Sequence, residues 1–166
     1  ETEDLRRDYR QEEFLMKNQY YPNLASPITI RGLTFKNRIF GAPMSNPELD
    51  PDCHMRKEDL AFHENRARGG LATVAIGLGI VDPVGRVHTK EVTLYDVMSL
   101  PSLKEYANAM HRHNCMAVME LAHGGKYAGA RSHDGAGDPL VLGPDDEINP
   151  DGLRVTAMSE EEIERV

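Results

Sequence analysis

The sequence predicts an α/β fold built from parallel strand–helix units. Three observations carry this. Apolar runs of strand length recur at Arg38–Pro43, Leu71–Ile76 and Met116–Leu121, with helical periodicity between them. The stretch Arg56–Arg68 carries helix formers and stops at Gly69-Gly70, so it links the first two runs as a strand–helix–strand unit. Leu103, Tyr106, Ala107 and Met110 fall at i, i+3, i+4 and i+7, with Pro101 in the first turn and Asn114 near the stop. Such alternation argues for parallel β/α units rather than a sandwich.

The chain divides into a charged N-terminal arm, residues 1–20, and a folded region, residues 21–166. The arm has Leu5, Phe14, Leu15 and Met16 as its main apolar members and carries no assigned chemistry. Ile28 and Ile30, then Leu33 and Phe35 after Arg31-Gly32, read as a two-residue-turn β-hairpin, with the glycine supplying a positive φ. Pro43 cannot continue a central ladder, so the first strand run is expected to end there and open into a loop through Cys53. Beyond His123 eight glycines and prolines up to Pro144 read as loop. Ser159-Glu160-Glu161-Glu162 is a capping-box signature that starts a helix near Glu160. That helix has barely two turns before Val166, and three parallel strands leave unpaired edges, so the expectation is a truncated fold or part of a larger assembly.

Composition narrows the function classes. The 166 residues hold 27 acidic and 19 basic side chains, a formal net charge of −8, with 40% hydrophobic and 28% charged residues. The basic residues form no stripe for a phosphate backbone, so no nucleic-acid partner is expected. No run approaches the ~18 apolar residues of a membrane span, and the charged N-terminus is unlike a secretory signal. Cys53 and Cys115 lack any C-x-x-C spacing, so reduced thiols and a cytoplasmic location are expected.

No metal set is predicted. His111 and His113 lie two apart on a helix and point to different sides, Cys53-His54 lacks an orienting third group, and Gly124-Gly125-Lys126 lacks the rest of a phosphate-loop pattern. The informative positions are the C-terminal ends of the parallel strands, where β/α folds bind ligands. There stand Ala42-Pro43-Met44-Ser45, Gly77-Leu78-Gly79 and Glu120-Leu121-Ala122-His123. Small residues allow a flat ligand to approach the backbone, and a carboxylate ending an apolar strand needs a partner.

Asn37–Met44, Glu64–Gly70 and Glu120–Ala128, in register with the Met158–Ile163 helix start, resemble the Old Yellow Enzyme family of flavin oxidoreductases. The likeness is strongest to its NADH:flavin oxidoreductase, 2-enoate reductase and 2,4-dienoyl-CoA reductase branch, and runs from about Tyr21 to Val166. The resemblance implies the first three or so units of an eight-stranded TIM barrel, capped by the hairpin, with FMN at the C-terminal mouth. It implies hydride transfer from NAD(P)H through the flavin to an α,β-unsaturated carbonyl, carboxylate or thioester; an iron–sulfur cluster and FAD belong only to longer members.

By the same resemblance Ala42, Pro43 and Met44 lie along the isoalloxazine and Ser45 falls near its O4. Gly77, or Leu78 if the register slips by one, makes the second-strand contact. Glu120 takes a place commonly held by glutamine at the pyrimidine edge, where an ionised carboxylate accepts from N3–H but cannot donate to O2. His123 is either a substrate-side group or a structural histidine bonded to its loop. The family's substrate-anchoring pair, proton-donor tyrosine and phosphate site have no counterpart in these residues, so no catalytic residue is assigned. The alternative reading is a non-catalytic half-barrel that self-associates or docks a partner chain.

Overall fold

A computed structural model of the chain describes residues 20–46, 49–88, 91–128 and 140–166. The predicted charged arm lies outside the described residues but for Tyr20, as do the glycines at 129, 135 and 137. A one-turn helix α1 (Pro22–Ala25) leads into the predicted hairpin, β1 (Ile28–Ile30) and β2 (Leu33–Phe35). Both turn residues have positive φ, 46° at Arg31 and 84° at Gly32, the mirror-image turn whose twist matches the flanking strands.

The centre of the fold is β3 (Thr73–Ile80), flanked by β4 (Val92–Thr93) and β5 (Met116–Ala122), both parallel to it. Two helices, α2 (Lys57–Arg68) and α3 (Leu100–His111), pack together against one face of this sheet. Leu60, Ala67, Val74, Ile76, Tyr106 and Met110 form the dry layer between them. The Tyr106 hydroxyl, buried there, donates its one hydrogen to the Val74 carbonyl at 2.6 Å with the Val118 carbonyl 3.2 Å away, so the helix is registered on the backbone of both strands. On the helices' outer side Glu64 Oε1 accepts from Arg112 and His113, each at 3.0 Å. Those two bonds tie the end of α3 to α2 and hold the Glu64 carboxyl below its ordinary range against the rise that its burial brings.

The first strand run departs from expectation. It makes no continuous strand, only parallel bridges from Phe40 to Thr73 and from Met44 to Ile76. Pro43 offers no N–H, yet the pairing resumes beyond it, with Gly77 N donating to Met44 O at 2.8 Å. β3 in turn runs on past the expected end at Ile76 to Ile80, because a bulge absorbs Gly77 and Leu78: Ile76 pairs with Met119 and Gly79 with Leu121. The predicted left-handed stop after α2 falls on Gly70 (φ 106°).

The region read as loop holds more structure than predicted. β6 (Val141–Gly143), β7 (Glu147–Ile148) and β8 (Arg154–Ala157) form a separate three-stranded sheet in the order β6-β8-β7. Strands of two to four residues are too short to show an alternating pattern, and Asn149 makes the turn instead, bonding Asp151 N, Leu153 N and Lys126 O. The predicted capping box opens α4 (Glu160–Arg165), with Ser159 and Glu162 bonding reciprocally. Arg165 then pairs with Asp82, a buried carboxylate just beyond β3. Among the described residues no helix is long and apolar enough to cross a membrane. Cys53 and Cys115 are buried, form no disulfide, and have thiol pKa values raised by burial.

Candidate functional site

The Ala42–Ser45 crossing, in which Ala42, Pro43, Met44 and Ser45 run parallel alongside the middle of β3, is exposed. What holds them is largely backbone. Ala72 N donates to Ile39 O, Gly41 N to Thr73 O and Met44 N to Ala75 O, while Arg66 of α2 donates through NH2 to Ala42 O at 2.9 Å. Arg66 has no predicted role of its own, although it stands inside the Glu64–Gly70 motif. Its signal was position, ten residues before Ile76 on the helix that covers the strand.

Gly77 lies directly against this segment. A Cβ there would sit 2.8 Å from Met44 C and 3.0 Å from both Met44 N and Ser45 N, so only glycine lets the two backbones approach. Its N–H is already given to Met44 O. Leu78, one residue on, holds φ at 58°, an uncommon setting for a leucine, and its N–H donates to Glu120 Oε2 at 3.2 Å. Glu120 is the one β5 residue facing the bulge, on the sheet face away from α2 and α3, while Ala117 and Met119 pack toward those helices. Its carboxylate thus has a partner in the fold, and Oε1 remains on an exposed side chain. The carboxylate, the bulge and the Ala42–Ser45 crossing form one continuous rim.

His123 follows β5 and closes that rim from the side. Its Nδ1 accepts from Gly125 N at 3.0 Å, which puts the proton of the neutral ring on Nε2. Nε2 is buried with no partner among the described residues, and burial lowers the ring's pKa. The ring lies flat on Gly85, where a Cβ would meet it at 2.4 Å. The bond to its own loop is the structural reading, and the buried ring N–H has no partner among the described residues.

A second cluster lies in the loop before α2. Asp50, Asp52 and His54 bring potential ligand atoms within 4.8 Å of one another, a trio that sequence reasoning did not assemble. Its geometry is accounted for by internal bonds: His54 Nε2 reaches Asp96 at 2.9 Å, His54 N donates to Asp50 Oδ1, and Nδ1 lies 3.5 Å from Asp50. His113 of the rejected His111/His113 pair is engaged with Glu64.

A parallel strand–helix series with an exposed, polar-rimmed edge at the strands' C-terminal ends is the architecture of a β/α barrel, a fold class that binds its ligands at that end. The chain matches the NADH:flavin oxidoreductase / NADH oxidase family over residues 23–166, and it belongs to that family. It is 27% identical over 132 residues to a 4,4'-dithiodibutanoate disulfide reductase of Rhodococcus erythropolis, covering 80% of this chain and 31% of that protein. An NADPH dehydrogenase of Halalkalibacterium halodurans is 29% identical over 106 residues, 63% of this chain and 31% of its own length.

Among solved structures, 2-naphthoyl-CoA reductase in complex with 2-naphthoyl-CoA superposes with a TM-score of 0.78 at 25% identity, over 87% of this chain and 24% of that one. The Old Yellow Enzyme of Pichia sp. AKU4542 superposes at 0.73 with 19% identity, over 86% and 39%, a likeness of fold. The fold is thus the N-terminal part of a TIM barrel of this class. The chain spans about a third of the length of these curated relatives.

Proposed function

We propose that this chain forms the FMN-facing N-terminal part of an NAD(P)H-dependent, ene-reductase-like oxidoreductase. The observation that supports it most is the rim itself: an exposed Ala42–Ser45 backbone crossing, pinned at Gly77, beside the Glu120 carboxylate. These residues fit a flat, tricyclic cofactor. Ala42 and Pro43 present little side-chain bulk, Ser45 brings a hydroxyl, and Glu120 Oε1 would accept a hydrogen bond from a ring N–H. When bound, FMN supplies a ring that takes hydride from NAD(P)H and hands it to an electron-poor alkene.

The protein's own residues orient and tune. Arg66 and the β3 ladder hold the crossing rigid. Glu120 places negative charge at the ring edge, which disfavours an additional negative charge there and so lowers the reduction potential relative to a neutral glutamine. His123 Nε2–H, buried beside the rim, is the donor proposed for a substrate carbonyl or carboxylate oxygen that reaches it. The substrate class proposed is an α,β-unsaturated carbonyl, carboxylate or thioester, consistent with the naphthoyl thioester in the similar reductase complex. An iron–sulfur cluster and FAD are proposed only for a longer protein that contains these units.

The test is an absorption and fluorescence titration of the purified chain with FMN. Saturable quenching with a shifted flavin spectrum is expected; a titration indistinguishable from free FMN overturns the reading.

A second reading rests on the sheet edge. β5 is an outer strand, with Val118 41% and Leu121 69% exposed. Such an edge pairs with further strands of the same barrel, with a second copy of the chain, or with a partner chain. Under this reading a concentration-dependent increase in mass is expected in sedimentation, and a monomer at all concentrations overturns it.

A further inference from the structure

His63 of α2 and Asn46, two residues past Met44, are both fully buried, at 0% and 2% exposure. His63 Nε2 donates to Asn46 Oδ1 at 3.0 Å, yet His63 Nδ1 and Asn46 Nδ2 have no partner among the described residues. The ring is otherwise gripped by apolar and aromatic groups, edge-on to Tyr106 at 5.7 Å and to Phe62 at 5.1 Å. One internal hydrogen bond does not offset two buried polar atoms left unpaired, so this pair works against stability in a layer where two apolar side chains would pack better. A buried polar pair of that kind specifies geometry. Among the described residues it links α2 to the far end of the Ala42–Asn46 segment, as Arg66 links α2 to its near end.

We propose that His63 is a positioning residue, fixing the Met44–Asn46 backbone through Asn46 and thereby the distance of the flavin-facing segment from Gly77. The inference deepens the proposed flavin site and rests on that reading for its functional meaning. Its structural content stands apart: with the His63–Asn46 bond gone, the far end of the crossing is held by Gly77 N to Met44 O and by the long 3.4 Å bond from Met44 N to Ala75 O.

The experiment is amide hydrogen exchange on the whole chain and on H63F, H63Q and the double variant N46L/H63F. Phe keeps the ring packing on Tyr106, Gln keeps a donor aimed at Asn46, and the double variant removes both polar partners. In H63F, Met44 and Gly77 amides are expected to exchange at least tenfold faster than in the wild type, while the β3–β5 ladder is unchanged. H63Q is expected to restore protection to within threefold. The double variant is expected to unfold at or above the wild-type midpoint and still to exchange fast at Met44 and Gly77, which also keeps the test decisive if H63F fails to fold. Unchanged exchange at these two amides in H63F, or full protection in the double variant, overturns the proposal. With FMN added, affinity is expected to fall at least tenfold in H63F and the double variant and to recover in H63Q. A wild-type chain that takes up no FMN overturns the flavin reading alone, since the exchange measurement needs no cofactor.

Discussion

The buried His63 ring makes a quantitative demand on stability at mildly acidic pH. Burial, reinforced by the Arg66 guanidinium on the next helical turn, pulls its pKa from 6.5 down to about 4. The unfolded chain therefore binds a proton between those values that the folded chain refuses, so stability is intact above pH 6.5 and declines as pH falls from there through 4. The full span of about 2.5 pH units corresponds to about 3 kcal/mol, of which about 2 kcal/mol is already lost at pH 5. A loss of this size is a large part of the 5–15 kcal/mol typical of a folded domain. The assay is urea denaturation followed by circular dichroism at pH 5, 6, 7 and 8, for the wild type and for H63F. Carboxylates titrate alike in both proteins, so the wild-type minus variant difference isolates the histidine. The wild type is expected to lose about 2 kcal/mol more than H63F between pH 7 and pH 5. Parallel pH profiles would refute the reasoning, because His63 would then titrate as freely in the fold as outside it.

Further outcomes are expected elsewhere in the site. Replacing Arg66 with Met removes the cation that helps keep His63 neutral, so the ring's pKa, read from its NMR shifts, rises toward 6.5; no movement would mean that burial acts alone. G77A drives a Cβ into the Met44 backbone and is expected to destabilise the chain by about 1–3 kcal/mol and to abolish FMN binding, checked by thermal melting and titration. E120Q, in a protein that binds FMN, is expected to raise the flavin's reduction potential in dye-equilibration measurements, and an unchanged potential removes Glu120 from the cofactor's electrostatics. S159A removes one half of the capping box and is expected to cost α4 about 1 kcal/mol, seen as faster exchange at Glu162 with the β3–β5 core unaffected.

Local chemistry made most of the architecture readable. The Arg31-Gly32 turn, the Gly70 stop, the Tyr106–Met110 stripe and the Ser159 box each act within a few residues, and each appears where the residues require it. Legibility failed where pairing overrode propensity. Nothing local announces that β3 passes through Gly77 and Leu78 by a bulge, because the bulge exists only against β5 and Glu120. The β6–β8 sheet was hidden for the same reason, its strands being shorter than any periodic pattern. Of the candidate site, the exposed crossing and the terminal carboxylate were visible as motifs, whereas Arg66 and the His63–Asn46 link were not. Those two act from the helix on the opposite side of the strand, a distance that only tertiary packing closes.

Every part of the rim is attached to a single eight-residue segment. β3 receives the crossing from one side, β5 from the other and β4 at its far end, while its inward side chains belong to the helix-facing core. The segment therefore has no spare surface on which variation could accumulate unnoticed. For anyone reshaping this protein, β3 is a chassis to be left alone. New specificity has room at the exposed positions Ala42–Ser45, where a side chain points to solvent.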